Sequence, residues 1–327
     1  MPQALDELLL PGIELVAKGD YYEAPIDHPC EAIEANAFYF GNTAWAQEYL
    51  DFCHRTEHFR QRWRAAIGDW TGKTVVDVGC GPGNVYATLG GKPGLLIGLD
   101  VAPGSLQLAA RQGYTAIRAD AAHLPLRSEV ADIVAVNASI HHCQDMEAVI
   151  REAARLVKPG GLLITDHDPQ RTAWDFKGPA KLLWDARLMV YRIMGRGFHK
   201  TLTQQSWGLR TEIHHRPGHG VSEALFRGAL EPLGFSVRVH PHNHEIGAEA
   251  LQGDWGKAEW KYRVGNLLSG RNPAAPTSAL SLMCVARRTG GVGAARPAAQ
   301  AVVQSMQANA AAPVFHPVAA SENLASS

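Results

Sequence analysis

Thr74-Val75-Val76-Asp77-Val78-Gly79-Cys80-Gly81-Pro82-Gly83-Asn84 is an apolar strand running into three alternating glycines, and Val85-Tyr86-Ala87-Thr88-Leu89 then opens a helix. Glycine lacks a Cβ, so such a turn tolerates positive φ and aims backbone N–H groups at a ligand seated on a helix N-terminus. The stretch reads as a nucleotide-type pocket. A glycine-rich corner can also serve packing alone, so its surroundings have to decide.

Outward from the turn, Leu95-Leu96-Ile97-Gly98-Leu99-Asp100 is a second strand ending in a carboxylate, where a ribose hydroxyl pair needs an acceptor. A third runs from Tyr114 to Ala119 and ends at Asp120, a fourth covers 131–137 up to Asn137, and a fifth covers 161–166 up to Asp166. Apolar runs alternate with helical stretches, and polar residues gather at the strands' C-terminal ends. That is where ligands sit in an open parallel sheet. Between the fourth and fifth strands, Asp145 caps a helix with the apolar face Val149, Ile150, Ala153, Leu156 and Val157, stopped by Lys158-Pro159-Gly160-Gly161.

Two ligand classes use such a sheet, and the turn separates them. Dinucleotide sites favour G-x-G-x-x-G, whereas Asn84 stands here where the third glycine would fall. Asp77, two residues before the first glycine, would repel a pyrophosphate but suits a ligand carrying an ammonium and a sulfonium. The turn therefore favours S-adenosylmethionine over NAD.

With these motifs in order, the sequence resembles the class I S-adenosylmethionine-dependent methyltransferases, in particular the small-molecule ubiquinone/menaquinone-type group. The resemblance is strong over about residues 72–168. Asp77 to Gly83 matches the first motif and Gly98-Leu99-Asp100 the acidic end of the second strand. Ala119 to Leu126 looks like the adenine-contacting segment, and Leu156 to Gly161 like the turn into the fifth strand. The resemblance implies an α/β fold: a Rossmann-like, seven-stranded, mostly parallel sheet with helices on both faces, an N-terminal helical cap and insertions after strands 5 and 6.

Position by position, the resemblance implies that the Gly79–Cys80–Gly81–Gly83 backbone holds the methionine moiety of S-adenosyl-L-methionine, with Asp77 acting electrostatically near the amino group. Asp100, with Val101 beside it, would take the ribose hydroxyls. Asp120 would accept from the adenine amino group, Ala121 N–H would reach a ring nitrogen, and the chain at Asn137 and Ala138 would pass the methionine end. Capping of the following helix or turn is the competing use of Asp100 and Asp120.

The composition suits an enzyme with one full core: 46% hydrophobic and 19% charged residues over 327, with a net charge of −1. That balance gives no electrostatic reason to expect nucleic acid or an anionic membrane as partner. No apolar run approaches the ~20 residues of a membrane span, and no signal-like core opens the chain. Cys30, Cys53, Cys80, Cys143 and Cys284 are scattered and odd in number, as expected of reduced thiols in a cytoplasmic protein.

The expected organisation is an N-terminal arm and helical cap over 1–70, a methyltransferase domain over 71–288, and a disordered Ala-rich tail over 289–327. Residues 1–40 read as an extended arm. Trp45, Tyr49, Phe52, Phe59, Trp63 and Ile67 recur at helical intervals and suggest one helix with a buried face. Within the domain, 169–221 and 241–278 are the two insertions; Phe176 to Gly197 reads as an apolar lid helix. A helix over 222–233 and strands at 235–239 and 279–286 complete the sheet.

Methyl transfer is an in-line displacement at the sulfonium methyl, so alignment and exclusion of water supply most of the rate. His141 and His142 follow the fourth strand where the methyl should point, and imidazole titrating near neutrality can deprotonate or orient an acceptor. They are the catalytic candidates; lining the pocket is their simpler use. Asp166-His167-Asp168 forms a weaker cluster, because neighbours on an extended chain point apart. The histidines of 214–219 and 240–244 lack an accompanying carboxylate set and read as solvated loops, so no metal is expected. The product of transfer would be S-adenosyl-L-homocysteine. The alternatives are a non-catalytic cofactor-binding or partner-binding protein and, with less support, an NAD(P)-dependent oxidoreductase.

Overall fold

The five apolar runs form the parallel centre of a single sheet. The structure is a computed structural model that describes residues 3–195, 201–212 and 218–289. Its strands are β1 (Val16–Lys18), β2 (Tyr21–Glu23), β3 (Thr74–Val78), β4 (Leu95–Asp100), β5 (Thr115–Arg118), β6 (Ala131–Asn137), β7 (Val157–Pro169), β8 (Phe235–His242) and β9 (Ser281–Arg288). The order across the sheet is β1-β2-β5-β4-β3-β6-β7-β9-β8. β5, β4, β3, β6 and β7 run parallel, and β9 pairs antiparallel with both β7 and β8.

The helices are α1 (Gln3–Asp6), α2 (Glu31–Tyr39), α3 (Thr43–Tyr49), α4 (Glu57–Ile67), α5 (Asn84–Leu89), α6 (Pro103–Gln112), α7 (Met146–Leu156), α8 (Arg171–Trp174), α9 (Pro179–Met194), α10 (Leu202–Thr211), α11 (Glu223–Leu230) and α12 (Trp260–Leu268). Strand alternation divides them between two cores. On one face Val75, Leu96, Ile133 and Ile164 meet Phe59 and Trp63 of α4, Val85 of α5 and Leu106 of α6. On the other, Val76, Val78, Ile97 and Val134 meet Val149, Ile150 and Ala153 of α7 and Phe226 of α11. Asp145 caps α7 by accepting from Ala148 N at 2.9 Å, as its spacing predicts.

The N-terminal region departs from the expected arm. Residues 16–23 form a hairpin whose second strand pairs parallel with β5, through Tyr22 with Ile117 and Glu23 with Arg118. The sheet therefore has nine strands rather than seven. Glu23 also forms an ion pair with the Arg118 guanidinium. The aromatic periodicity over 45–67 is not one helix either. α3 passes into a π-helical turn at Leu50–His54, and Thr56 starts α4 by accepting from Phe59 N at 3.2 Å. The break turns Phe52 outward, 71% exposed, while Phe59 and Trp63 are fully buried. The two insertions hold α8 to α10 and α12; the tail expected from 289 lies outside the described residues beyond Thr289.

One buried network ties α4 to the sheet. Arg62, on α4, donates from Nε to Asp166 Oδ2 at 3.0 Å and from a terminal nitrogen to Ile246 O. Asp166 Oδ1 accepts from His242 Nε2 at 2.7 Å and from His167 N at 2.8 Å. Arg62, Asp166 and His242 are all fully buried. Arg62 and His242 hold Asp166 well below the usual carboxylate range against the cost of burial, while burial, reinforced by Arg62, lowers His242 to about 4.

A histidine kept neutral in this way opposes acid stability. As pH falls from about 6.5 towards 4 the unfolded chain takes up a proton that the folded chain refuses, which costs on the order of 3 kcal/mol over the window. His242→Gln keeps a donor for Asp166 without the titration. Urea unfolding at pH 7 and pH 4.5 should show a smaller loss of stability for the variant than for the parent; equal losses would contradict the neutral buried imidazole.

Candidate active site

Two residues other than glycine with positive φ stand at the C-terminal ends of adjacent central strands: Ala138 (φ 51) after β6, and His167 (φ 60) near the end of β7. Strain of this kind persists only where the surroundings enforce it, and it clusters at functional sites. Both residues line a cavity of about 940 Å³ across the carboxyl ends of the parallel strands. At His167 the β7–β9 register slips between Thr165 and Asp168. Asp166 turns to Arg62 and Asp168 to His141, both carboxylates buried, while His167 Nδ1 lies 3.6 Å from Asp166 Oδ2, so these two neighbours stay together rather than pointing apart as expected.

One end of the cavity is the glycine turn. Gly79 (φ 66) packs so close to Ser139 that a Cβ would lie 2.4 Å from the serine Cβ, which explains the need for glycine there. Gly81 N donates to Asp100 Oδ2 at 2.8 Å, and Ala102 N to Asp100 Oδ1 at 2.9 Å. Burial raises the Asp100 pKa, offset in part by these N–H bonds. Asp120 Oδ1 accepts from Ala122 N at 3.0 Å, and Oδ2 lies 2.8 Å from His123 Nδ1. Both carboxylates therefore brace the chain and also face the cavity.

Of the predicted cofactor set, Gly79, Gly81, Asp100, Val101, Asp120, Ala121 and Asn137 line this cavity, whereas Asp77, Cys80 and Gly83 do not. The pleat of β3 sends Asp77 to the opposite side, where Tyr114 O–H donates to its Oδ2 at 2.8 Å. Its Oδ1 is buried with no hydrogen-bond partner among the described residues. Burial outweighs the tyrosine bond and pushes the Asp77 carboxyl up to about 7. Cys80 is buried against Gly98, and Gly83 holds the start of α5 against Tyr114.

The other end is walled by ring side chains: Phe40, Tyr49, Trp174, Trp184 and Tyr262. α9 contributes Trp184, Arg187 and Tyr191 from one face, with the Arg187 guanidinium stacked 3.6 Å over Trp184. Its other face leaves Leu182, Leu183, Ile193 and Met194 exposed. Gly197, the expected end of this helix, lies outside the described residues.

His141 and His142 stand between the two ends. His141 Nδ1 donates to Asp168 Oδ1 at 2.8 Å, the same oxygen accepts from His141 N at 3.0 Å, and Nε2 lies 3.6 Å from Glu212 Oε2. Burial alone would lower its pKa, but the bonds to Asp168 and Glu212 prevail and raise it to about 9. At neutral pH this side chain is imidazolium, which departs from the near-neutral titration expected of it. His142 Nδ1 donates to the Thr211 carbonyl at 2.8 Å. His54, His167 and His244 also line the cavity. His244, from a loop read as solvated, lies 2.8 Å from Ser281 Oγ through Nε2, and burial lowers His54 well below the ordinary histidine value. Sequence reasoning missed Glu212, which no motif marks, and the use of Asp168.

A family described as a methyltransferase domain matches residues 76–165. Demethylmenaquinone methyltransferase of Lactococcus lactis subsp. lactis (strain IL1403) is 29% identical over 202 residues, 58% of this chain and 77% of the relative. The Staphylococcus saprophyticus subsp. saprophyticus protein of the same name is 27% identical over 207 residues, 61% of this chain and 84% of its own length. Among solved structures, geranyl diphosphate C-methyltransferase from Streptomyces coelicolor A3(2) shares the fold, with a TM-score of 0.51 at 12% identity, over 81% of this chain and 100% of that one. No helix among the described residues is long and apolar enough to cross a membrane. With the sheet order and the glycine turn, these matches show that the chain carries an S-adenosylmethionine-dependent methyltransferase domain, similar to those of the menaquinone-type enzymes.

Proposed function

We propose that the acceptor is a flat, hydroxylated aromatic compound of the quinol class, bound between the ring-lined wall and the His141–Glu212 pair, with its nucleophilic atom facing the donor methyl. The observation that carries this reading is the division of one cavity into a polar glycine-turn end and an aromatic end, with an ionisable cluster at the seam. Rings stack well on rings, and an aromatic wall excludes water from a displacement that gains from dryness. The names of the curated relatives point to the same class of acceptor.

In this reading S-adenosylmethionine lies along the strand ends. Gly79 and Gly81 border its methionine end near Asn137, Asp100 and Val101 take the ribose, and Asp120 and Ala121 take the adenine. Asp77 acts from beneath the turn, as a buried charge partner rather than a contact. Transfer moves the methyl from sulfonium to acceptor, and the sulfur keeps the electron pair of the broken bond, leaving S-adenosylhomocysteine. The acceptor hydroxyl gives up its proton to solvent as its oxygen gains charge, and the cationic His141, held by Asp168, lies where it would stabilise that charge without taking the proton itself. A cytoplasmic setting fits the five cysteines, each of which is free.

Two outcomes test this. Asp100→Ala should abolish S-adenosylmethionine binding in calorimetric titration, since it removes the ribose acceptor and the brace on Gly81 together; unchanged affinity would overturn the cofactor placement. With radiolabelled methyl donor, the parent should label hydroxylated naphthalenes and benzenes. His141→Ala or His142→Ala, made separately, should lower turnover roughly 10²-fold in at least one case while donor affinity holds. Parental turnover in both variants would remove the histidines from the chemistry, and no labelled acceptor across the panel would refute the substrate class.

A further inference from the structure

His141 and His142 occupy one short helical turn, Ile140–His142, with ring centroids 4.0 Å apart. Glu212, at the end of α10, comes down on them from the insertion. One donor atom from each of the three lies within 4.8 Å of the others. We propose that His141, His142 and Glu212 form a binding site for one divalent transition-metal ion of the zinc class, with its remaining coordination positions open to the acceptor end of the cavity.

The partners of the two rings support this. Asp168 and the Thr211 carbonyl can only accept, and each lies 2.8 Å from a histidine Nδ1. Each ring thus carries a proton on Nδ1, which leaves Nε2 for a metal, and the His141 Nε2 faces Glu212 Oε2 at 3.6 Å. Histidines that bind metals nearly always donate their other nitrogen to a carboxylate or a backbone carbonyl, and one of each is present here. The Asp168 oxygen also accepts the His141 backbone N–H at 3.0 Å, so ring and main chain are set by one buried group.

The donor set then selects the ion. Two imidazoles and a carboxylate suit zinc, iron(II) or cobalt(II) and leave positions for water or substrate, whereas magnesium and calcium prefer all-oxygen shells. Ligands ~2.1 Å from a tetrahedral ion lie roughly 3.4 Å apart. His141 Nε2 and Glu212 Oε2 are at 3.6 Å already, and the widest separation, no more than 4.8 Å, closes with a small side-chain movement. All three residues line the cavity.

The proposal rests on the acceptor reading above and deepens it. A bound ion would take the acceptor oxygen as a ligand and favour its deprotonated form, the proton leaving to solvent before the methyl moves. Without an ion, the same atoms share the imidazolium proton instead.

The test uses the full chain, treated with chelator and then titrated with zinc chloride by calorimetry and with cobalt chloride by visible absorption. One ion per chain with ligand-field bands typical of a nitrogen and oxygen site is expected. Glu212→Gln and His142→Gln should each weaken zinc binding at least tenfold, and Asp168→Asn roughly 10- to 100-fold. His244→Gln, in the separate histidine group, should leave it unchanged. S-adenosylmethionine titration of each variant reports that it is folded. Absence of zinc binding by the parent, or equal affinity in Glu212→Gln and His142→Gln, would overturn the site. Methyl transfer by chelated protein that binds no zinc would remove the ion and leave the acceptor reading standing, whereas site-specific zinc binding with no transfer to any hydroxylated arene would do the reverse.

Discussion

The arrangement of the active end depends on a charge placed where water cannot reach it. Arg62 is fully buried, and its guanidinium is met there by Asp166, Ile246 O and His167 Nδ1. Removing one partner of such a pair typically costs about 3–5 kcal/mol, because the other is left uncompensated. The pair therefore acts as a register pin: α4 from the N-terminal region, the end of β7 and the loop after β8 must all be in place together. His54, just before α4, His167 on β7 and His244 after β8 reach the cavity from beside these elements.

The slip at His167 converts one strand into a two-sided support. An ordinary pleat would send Asp166 and Asp168 to the same face. With the slip, Asp166 anchors the cap through Arg62 and Asp168 orients His141. Cap position and ring orientation are thereby coupled through three consecutive residues. The neighbouring His54 is kept neutral by burial, as is His242 behind it.

What was legible in the sequence follows from the range of the forces involved. β3, β4 and β6 were readable because parallel strands buried on both faces are continuous apolar runs, and the glycine turn because it is local. The cap of α7 was readable from Asp145 for the same reason. The hairpin at β1 and β2 was not, since three-residue strands carry no periodicity and exist by docking on β5. The split of the 45–67 helix needed Thr56 to be weighed as a cap against an aromatic stripe that continues past it. Asp77 was expected to act electrostatically because a carboxylate beside the turn suits a cationic ligand, whereas its bond to Tyr114, 37 residues on, is not announced by anything local. Glu212 meets His141 across 71 residues of chain, and nothing local announces a contact made by an insertion folding back.

The added hairpin has a consequence for how copies of this chain behave in a crowded solution. A sheet ending at β5 would present an unpaired row of backbone donors and acceptors to any passing strand. Here the row is covered, and the new border, β1, is three residues long and carries Lys18. The far border, β8, holds Pro241 near its end, where the missing N–H interrupts any further ladder. Short length, charge and proline are the devices by which natural sheets refuse edge-to-edge growth. Both margins of the nine-stranded sheet thus carry devices that oppose edge-to-edge pairing.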